Sequence, residues 1–295
     1  MKKPYIALSI SVISVSFAAI FIVSANAQPL AIAFYRLLFT TLLISPLILL
    51  NKKYRKEIVT LHRSQIITMV GIGIILAAHF AFWISSLAKT SVASSVILVT
   101  AHPIMVTPLA YLLFKEKPSI VNTAGILLSI SGAIILLLGN YGIQSSTLEG
   151  NLLAILGGAA AGLYILGGRK MRKSVSTICY AFVVYAIASI TLLIMCLLFD
   201  SPVYGVGMRD YVIILLMALV SGIFGHTMYN WSLKYVRAAF ASVSLLGEPL
   251  CSSLLAFVLP WIGQVPTFYT ILGGSFILIG IYLASRNVAG YAEYI

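Results

Sequence analysis

Charge is scarce in this chain. Of 295 residues only 9% are Asp, Glu, Lys or Arg, and only seven are acidic. A soluble domain carries about 25% charged residues, so this supply cannot cover the surface of a soluble fold. The shortage excludes a soluble enzyme, a disordered chain and a nucleic-acid-binding domain. Cysteine is scarce too. Cys179, Cys196 and Cys251 lie far apart in apolar runs, with no metal-ligand spacing and no plausible disulfide pair. There is no Gly-rich nucleotide loop ending in Lys-Ser/Thr, no H-E-x-x-H, no G-x-S-x-G and no cluster of carboxylates. No cofactor or metal is expected, and ATP cannot drive work through this chain.

What the chain does have is apolar length. It is 61% hydrophobic with a mean hydropathy of +1.06. Such a composition belongs in a bilayer. The net charge of +12 then reads as the Lys and Arg that cytoplasmic loops collect, rather than as a nucleic-acid surface.

Crossing ~30 Å of hydrocarbon takes about 20 apolar residues per helix. That ruler predicts ten spans, near 4–25, 29–50, 65–87, 92–114, 119–139, 148–168, 175–199, 210–233, 238–259 and 266–285. The N-terminus imitates a signal peptide, with Met-Lys-Lys, an apolar run and Ala25-Asn26-Ala27. Its apolar run exceeds the ~7–15 residues of a signal's central region, so it is expected to stay as the first span. With the N-terminus placed in the cytoplasm, every one of the 19 basic residues except Lys89, Arg209 and the intramembrane Arg36 falls inside. This bias favours an even number of spans and two cytoplasmic termini in the cell membrane.

An internal repeat emerges at an offset of 146. Ser86, Leu87, Ala93 and Pro103 fall on Ser232, Leu233, Ala239 and Pro249; after a two-residue insertion Pro118, Gly125 and Gly132 fall on Pro266, Gly273 and Gly280. The expected fold is therefore all-α and integral to the membrane, ten transmembrane helices built as two five-helix halves, 1–145 and 146–295. An odd number of spans per half makes the halves inverted, the construction of alternating-access transporters.

The motifs A-K-T-S-V-A-S-S, H-P, F-K-E-K-P-S and G-x6-G between Ser86 and Leu138, with F-Y-R-L at Arg36 and G-E-P at Glu248, resemble the drug/metabolite transporter superfamily with EamA-type repeats. The resemblance covers nearly the whole chain and implies export of small organic metabolites, among them amino acids. One departure is that Glu116 has no counterpart in W-I-G-Q-V-P-T. That makes it a loop residue rather than part of a symmetric site.

Ionisable groups inside a bilayer cost about 2.5–3.5 kcal/mol on insertion scales and are functional candidates by default. Outside the loops they are Arg36, His79, His102, His226 and Glu248. Two roles are open to Glu248: holding a substrate amine or a proton, or pairing with Arg36 or a hydroxyl to join helices. His102, its repeat partner, either serves the same central region or bonds a carbonyl freed by Pro103. Arg36 is either a clamp for a substrate carboxylate or a structural counter-charge. His79 with Trp83, and His226 with Asn230 and Tyr229, form polar-aromatic stripes that suit a cavity wall. Trp83 and Tyr229 also suit an aromatic belt, to which Tyr111 and Trp261 are assigned. Pro103 and Pro249 are expected to mark paired bends. The glycines at 158 and 162 read as helix packing.

The function these features favour is secondary active transport of a small molecule, with a proton as a possible coupling ion and lipid as the surroundings. A membrane-embedded enzyme, a channel or a non-transporting scaffold is the rival class. Oligomeric state, direction and the particular metabolite leave no mark in the sequence.

Overall fold

The structure, a computed structural model, describes residues 3–139, 147–258 and 267–286. All secondary structure among the described residues is helical. The elements are α1 (Lys3–Ser24), α2 (Pro29–Leu50), α3 (Lys52–Val59), α4 (Arg63–Leu87), α5 (Val92–Thr100), α6 (Pro103–Phe114) and α7 (Ile120–Gly139). They continue with α8 (Leu148–Met171), α9 (Thr177–Leu198), α10 (Met208–Met217), a π-helical segment π1 (Ala218–Thr227), α11 (Met228–Ser232), α12 (Ala238–Ser244), α13 (Gly247–Val258) and α14 (Phe268–Ser285). Nine of the described helices or helix series are long and apolar enough to cross a membrane, and α7 contributes the shorter apolar stretch Ile120–Leu136. Trp261 and Pro266 lie outside the described residues.

Local chemistry sets the boundaries. Pro29 opens α2 with its backbone preset for the first turn. Ser91, Thr147, Ser176 and Thr267 accept backbone N–H bonds at the starts of α5, α8, α9 and α14. The first helix is integral to the bundle. Ser11 donates to the Gly225 carbonyl at 3.0 Å and accompanies a bond from Ser221 to the Ser14 carbonyl, also 3.0 Å.

Two helices meet backbone to backbone. A Cβ built on Gly125 would lie 2.6 Å from the Gly280 carbonyl oxygen, and one on Gly132 would lie 2.5 Å from that of Gly273. Rising numbers on α7 meet falling numbers on α14, so the two run antiparallel. Only glycine permits that approach.

Two spans are broken. The fourth is interrupted at Ala101–His102, immediately before Pro103. The ninth is interrupted at Leu245–Leu246, so Pro249 sits inside the first turn of α13 rather than at the break. The expected pairing of the prolines with the bends is thus direct at Pro103 and displaced at Pro249. The turn before α13 is closed by Leu245 and Leu246 donating to the Ser242 and Val243 carbonyls, three residues back. This tighter winding ends α12 before the proline is reached.

The eighth span differs from the third. α4 is α-helical throughout, whereas ten residues of the eighth span wind as π1. The fourth and ninth spans both break, though not at equivalent positions, and the third and eighth do not match.

Candidate functional site

A cavity lies inside the bundle, bounded by seven of its spans. Its walls include Arg36 on α2, His79 and Trp83 on α4, His102 at the break of the fourth span, Tyr164 on α8, His226 and Tyr229 on the eighth span, and Glu248 on α13. The structure therefore brings together seven of the eight residues singled out in the sequence. The eighth, Asn230, is not part of the wall. It is buried behind it, donating through Nδ2 to Tyr164 Oη at 2.5 Å and to Tyr185 Oη at 3.1 Å. The four-residue stripe expected for His226 and Asn230 is not found: His226 shares the wall with Tyr229, and Asn230 is held behind it.

Arg36 carries the strongest signal. It is 1% exposed, and none of its three guanidinium nitrogens has a hydrogen-bond partner among the described residues. Its charge rests over aromatic rings, 4.3 Å from the Phe80 centroid and 5.8 Å from that of Trp83. A desolvated cation–π contact is worth about 2 kcal/mol. It does not replace the hydrogen bonds that a guanidinium fork forms with a planar anion. Glu248 is buried on the same wall. No hydrogen bond or ion pair joins its carboxylate to a described residue, and Arg36 is not within ion-pairing distance. Arg36 and Glu248 thus make no direct ion pair, although their opposite charges act on one another across the cavity. Buried charges are ordinarily paired by hydrogen bonds, so a guanidinium without them beside a buried carboxylate leaves room for a third party.

Other polar groups sit in fixed states around them. His79 Nδ1 is 2.9 Å from the Gly157 carbonyl oxygen. A carbonyl only accepts, so Nδ1 bears the proton and Nε2 is left as an acceptor. The His79 ring stacks on Trp83, 5.9 Å between centroids and 13° from parallel. His102 Nδ1 lies 2.7 Å from Ser242 Oγ, tying the fourth span to the ninth; its partner is a hydroxyl and not a freed carbonyl. The Trp83 indole N–H and the Tyr229 hydroxyl are buried without partners among the described residues. Trp83 and Tyr229 are cavity residues here, not belt residues. Tyr111, in contrast, is exposed as an interface residue would be.

The cavity is contracted. It measures about 50 Å³ to the centres of water-sized spheres, room for roughly three or four waters. Its wall is also patterned: Val15 and Ala161, Ala18 and Tyr164, Trp83 and Tyr229, Val99 and Leu245, and His102 and Glu248 all line it, and the members of each pair are 146 positions apart.

A second buried polar cluster lies outside the cavity: Glu116 is in the loop between α6 and α7, as expected, but it is buried there. Glu116 Oε1 accepts from Arg169 Nε at 2.9 Å, and Oε2 accepts from the Ala238 backbone N–H at 2.9 Å. Arg169 was counted among the loop cations. It is buried at the end of α8, and its Nη1 donates to the carbonyls of Leu233 at 2.7 Å and Lys234 at 3.0 Å.

A bundle of membrane-length helices around an internal cavity with buried opposite charges defines a multi-pass membrane protein of the transporter kind. Sequence comparison agrees: the EamA-like transporter family matches residues 2–138 and again residues 148–286, and the chain belongs to that family. An uncharacterized transporter of Archaeoglobus fulgidus is 23% identical over 290 residues, covering 97% of this chain and 98% of its own. An uncharacterized transporter of Bacillus subtilis, YdfC, is 23% identical over 180 residues, 60% of this chain and 57% of its own. A solved crystal structure that is 18% identical superimposes with a TM-score of 0.78 over 98% of both chains, which speaks to the fold.

Proposed function

We propose that this membrane transporter is a secondary active exporter of small zwitterionic metabolites, amino acids or compounds like them. It works by alternating access around the central cavity. The observation that carries the reading is the Arg36 guanidinium, buried without a hydrogen-bond partner among the described residues, on one wall with the carboxylate of Glu248. Arg36 would take a carboxylate through its fork, and Glu248 an ammonium group or a proton. Trp83, Tyr164 and Tyr229 offer aromatic faces to the rest of the molecule, while His79, His102 and His226 add hydrogen-bonding capacity. Asn230 positions Tyr164 from behind.

Two inverted halves, 1–145 and 146–295, are the second part of the proposal. The 146-residue pairing of wall residues supports it, as does the α7–α14 contact. There Gly125 faces Gly280 while Gly132 faces Gly273, the reciprocal pattern that a two-fold axis imposes. Such an axis in the membrane plane puts the substrate between the halves. The breaks near Pro103 and Pro249 are the hinges of the alternating-access cycle, and both termini face the cytoplasm.

The charges oppose one another in function. Glu248 cannot hold a proton and an ammonium group at once, and this competition would couple export to a proton gradient. Counterflow in proteoliposomes tests the proposal. Vesicles preloaded with an unlabelled amino acid should accumulate the labelled one transiently, and Arg36→Ala should abolish accumulation. Absence of counterflow for every amino acid tried, with uptake of a non-zwitterion instead, would contradict the substrate class.

A further inference from the structure

The Glu116–Arg169 cluster joins four segments at the end of the bundle where α1 begins. Ser232 Oγ donates to the Pro4 carbonyl there, which fixes the link between the eighth and ninth spans at that end. Arg169 binds the last carbonyls of the eighth span, and Glu116 binds the first N–H of the ninth. Each charge meets the helix terminus of opposite partial charge. Arg237, within the same link, also donates to the Lys117 carbonyl at 3.2 Å. Lys115 turns the chain into this cluster with a left-handed backbone, φ 57°, a conformation a lysine adopts only when its surroundings demand it. From the clamped link, the short helix α12 runs directly to Ser242, the hydrogen-bond partner of His102 on the cavity wall.

We propose that Glu116 and Arg169 form the latch that keeps this end of the transporter closed, and that they must separate for the cavity to open there. They are positioning residues for transport: their contacts hold residues 233–238, and α12 carries that hold to the cavity. The latch rests on the alternating-access reading above, but its test needs no substrate.

The experiment uses the full chain with Cys179, Cys196 and Cys251 replaced by Ala and a single reporter, Ala161→Cys, in the cavity wall. A membrane-impermeant maleimide is applied to right-side-out and inside-out membrane vesicles. Glu116→Gln should raise the labelling rate about tenfold from the face bearing the N-terminus and leave the other face unchanged. Arg169→Lys keeps the charge but loses the fork, and should produce a smaller rise on the same face. It serves as the decisive variant if Glu116→Gln fails to reach the membrane. An unchanged rate, or an equal rise from both faces, would overturn the latch. Face-specific labelling without amino-acid counterflow would retain the latch and reject the proposed substrate.

Discussion

Two ion pairs hold opposite ends of this bundle, and they differ in nearly every physical respect. Glu116 and Arg169 have side chains only 2% and 6% exposed, and both carboxylate oxygens and two guanidinium nitrogens are used. Lys89 and Glu149, at the far end, are 44% and 65% exposed. Their neighbours help: Thr147 donates to the Lys89 carbonyl, and Thr90 donates to Asn151 Oδ1 at 2.8 Å. An exposed pair is worth about 0–1 kcal/mol and weakens with salt. A buried pair with one partner removed costs about 3–5 kcal/mol, because a charge is left without compensation. The comparison teaches that one end is held by matched buried charge and the other by exposed, salt-sensitive contacts.

The sharpest way to break the comparison is Arg169→Ala. Glu116 then stays buried with only the Ala238 N–H, and stability should fall by about 3–5 kcal/mol, read as a large drop in the thermal unfolding midpoint in detergent. A midpoint close to wild type would mean that water already reaches Glu116. At the other end, Glu149→Gln should cost less than about 1 kcal/mol, and that small loss should vanish in high salt. A salt-independent drop would show that the exposed pair is more constrained than its exposure implies. The smallest effect is expected at Lys115→Gly. Relieving a left-handed lysine gains about 1–2 kcal/mol, and the added freedom of the unfolded chain takes back roughly 0.5–1 kcal/mol. The net should be a slight stabilisation in the same melting assay; a clear loss would show that the Lys115 side chain supports the turn.

Much of the molecule was legible because the bilayer leaves few choices. Apolar length located the helices, and the cost of intramembrane charge drew attention to Arg36, His79, His102, His226 and Glu248, all of which line the cavity. Tyr164 was missed because a tyrosine in a glycine-rich helix looks like packing, although its 146-residue relation to Ala18 on the same wall was available as a signal. Phe80 was missed because it lies beside Arg36 only in three dimensions. The π winding of Ala218–Thr227 has no hydropathy signature, and Asn230 is held behind the wall by Tyr164 and Tyr185, partners that no local pattern announces. Glu116 escaped because a lone carboxylate between two lysines imitates a solvated turn. Its burial follows from distant partners at Arg169 and Ala238, and no local pattern announces them.

The central claim is that the buried carboxylate of Glu248 alternates between proton and substrate opposite Arg36. Glu248→Gln keeps the shape and removes the titratable charge. Amino-acid counterflow should be measured across a range of pH for wild type and for this variant, with protein amount in the vesicles matched. Wild type is predicted to show pH-dependent transport, and Glu248→Gln to lose that dependence, with any residual flux insensitive to pH. An unchanged rate and an unchanged pH profile in the variant would contradict the account.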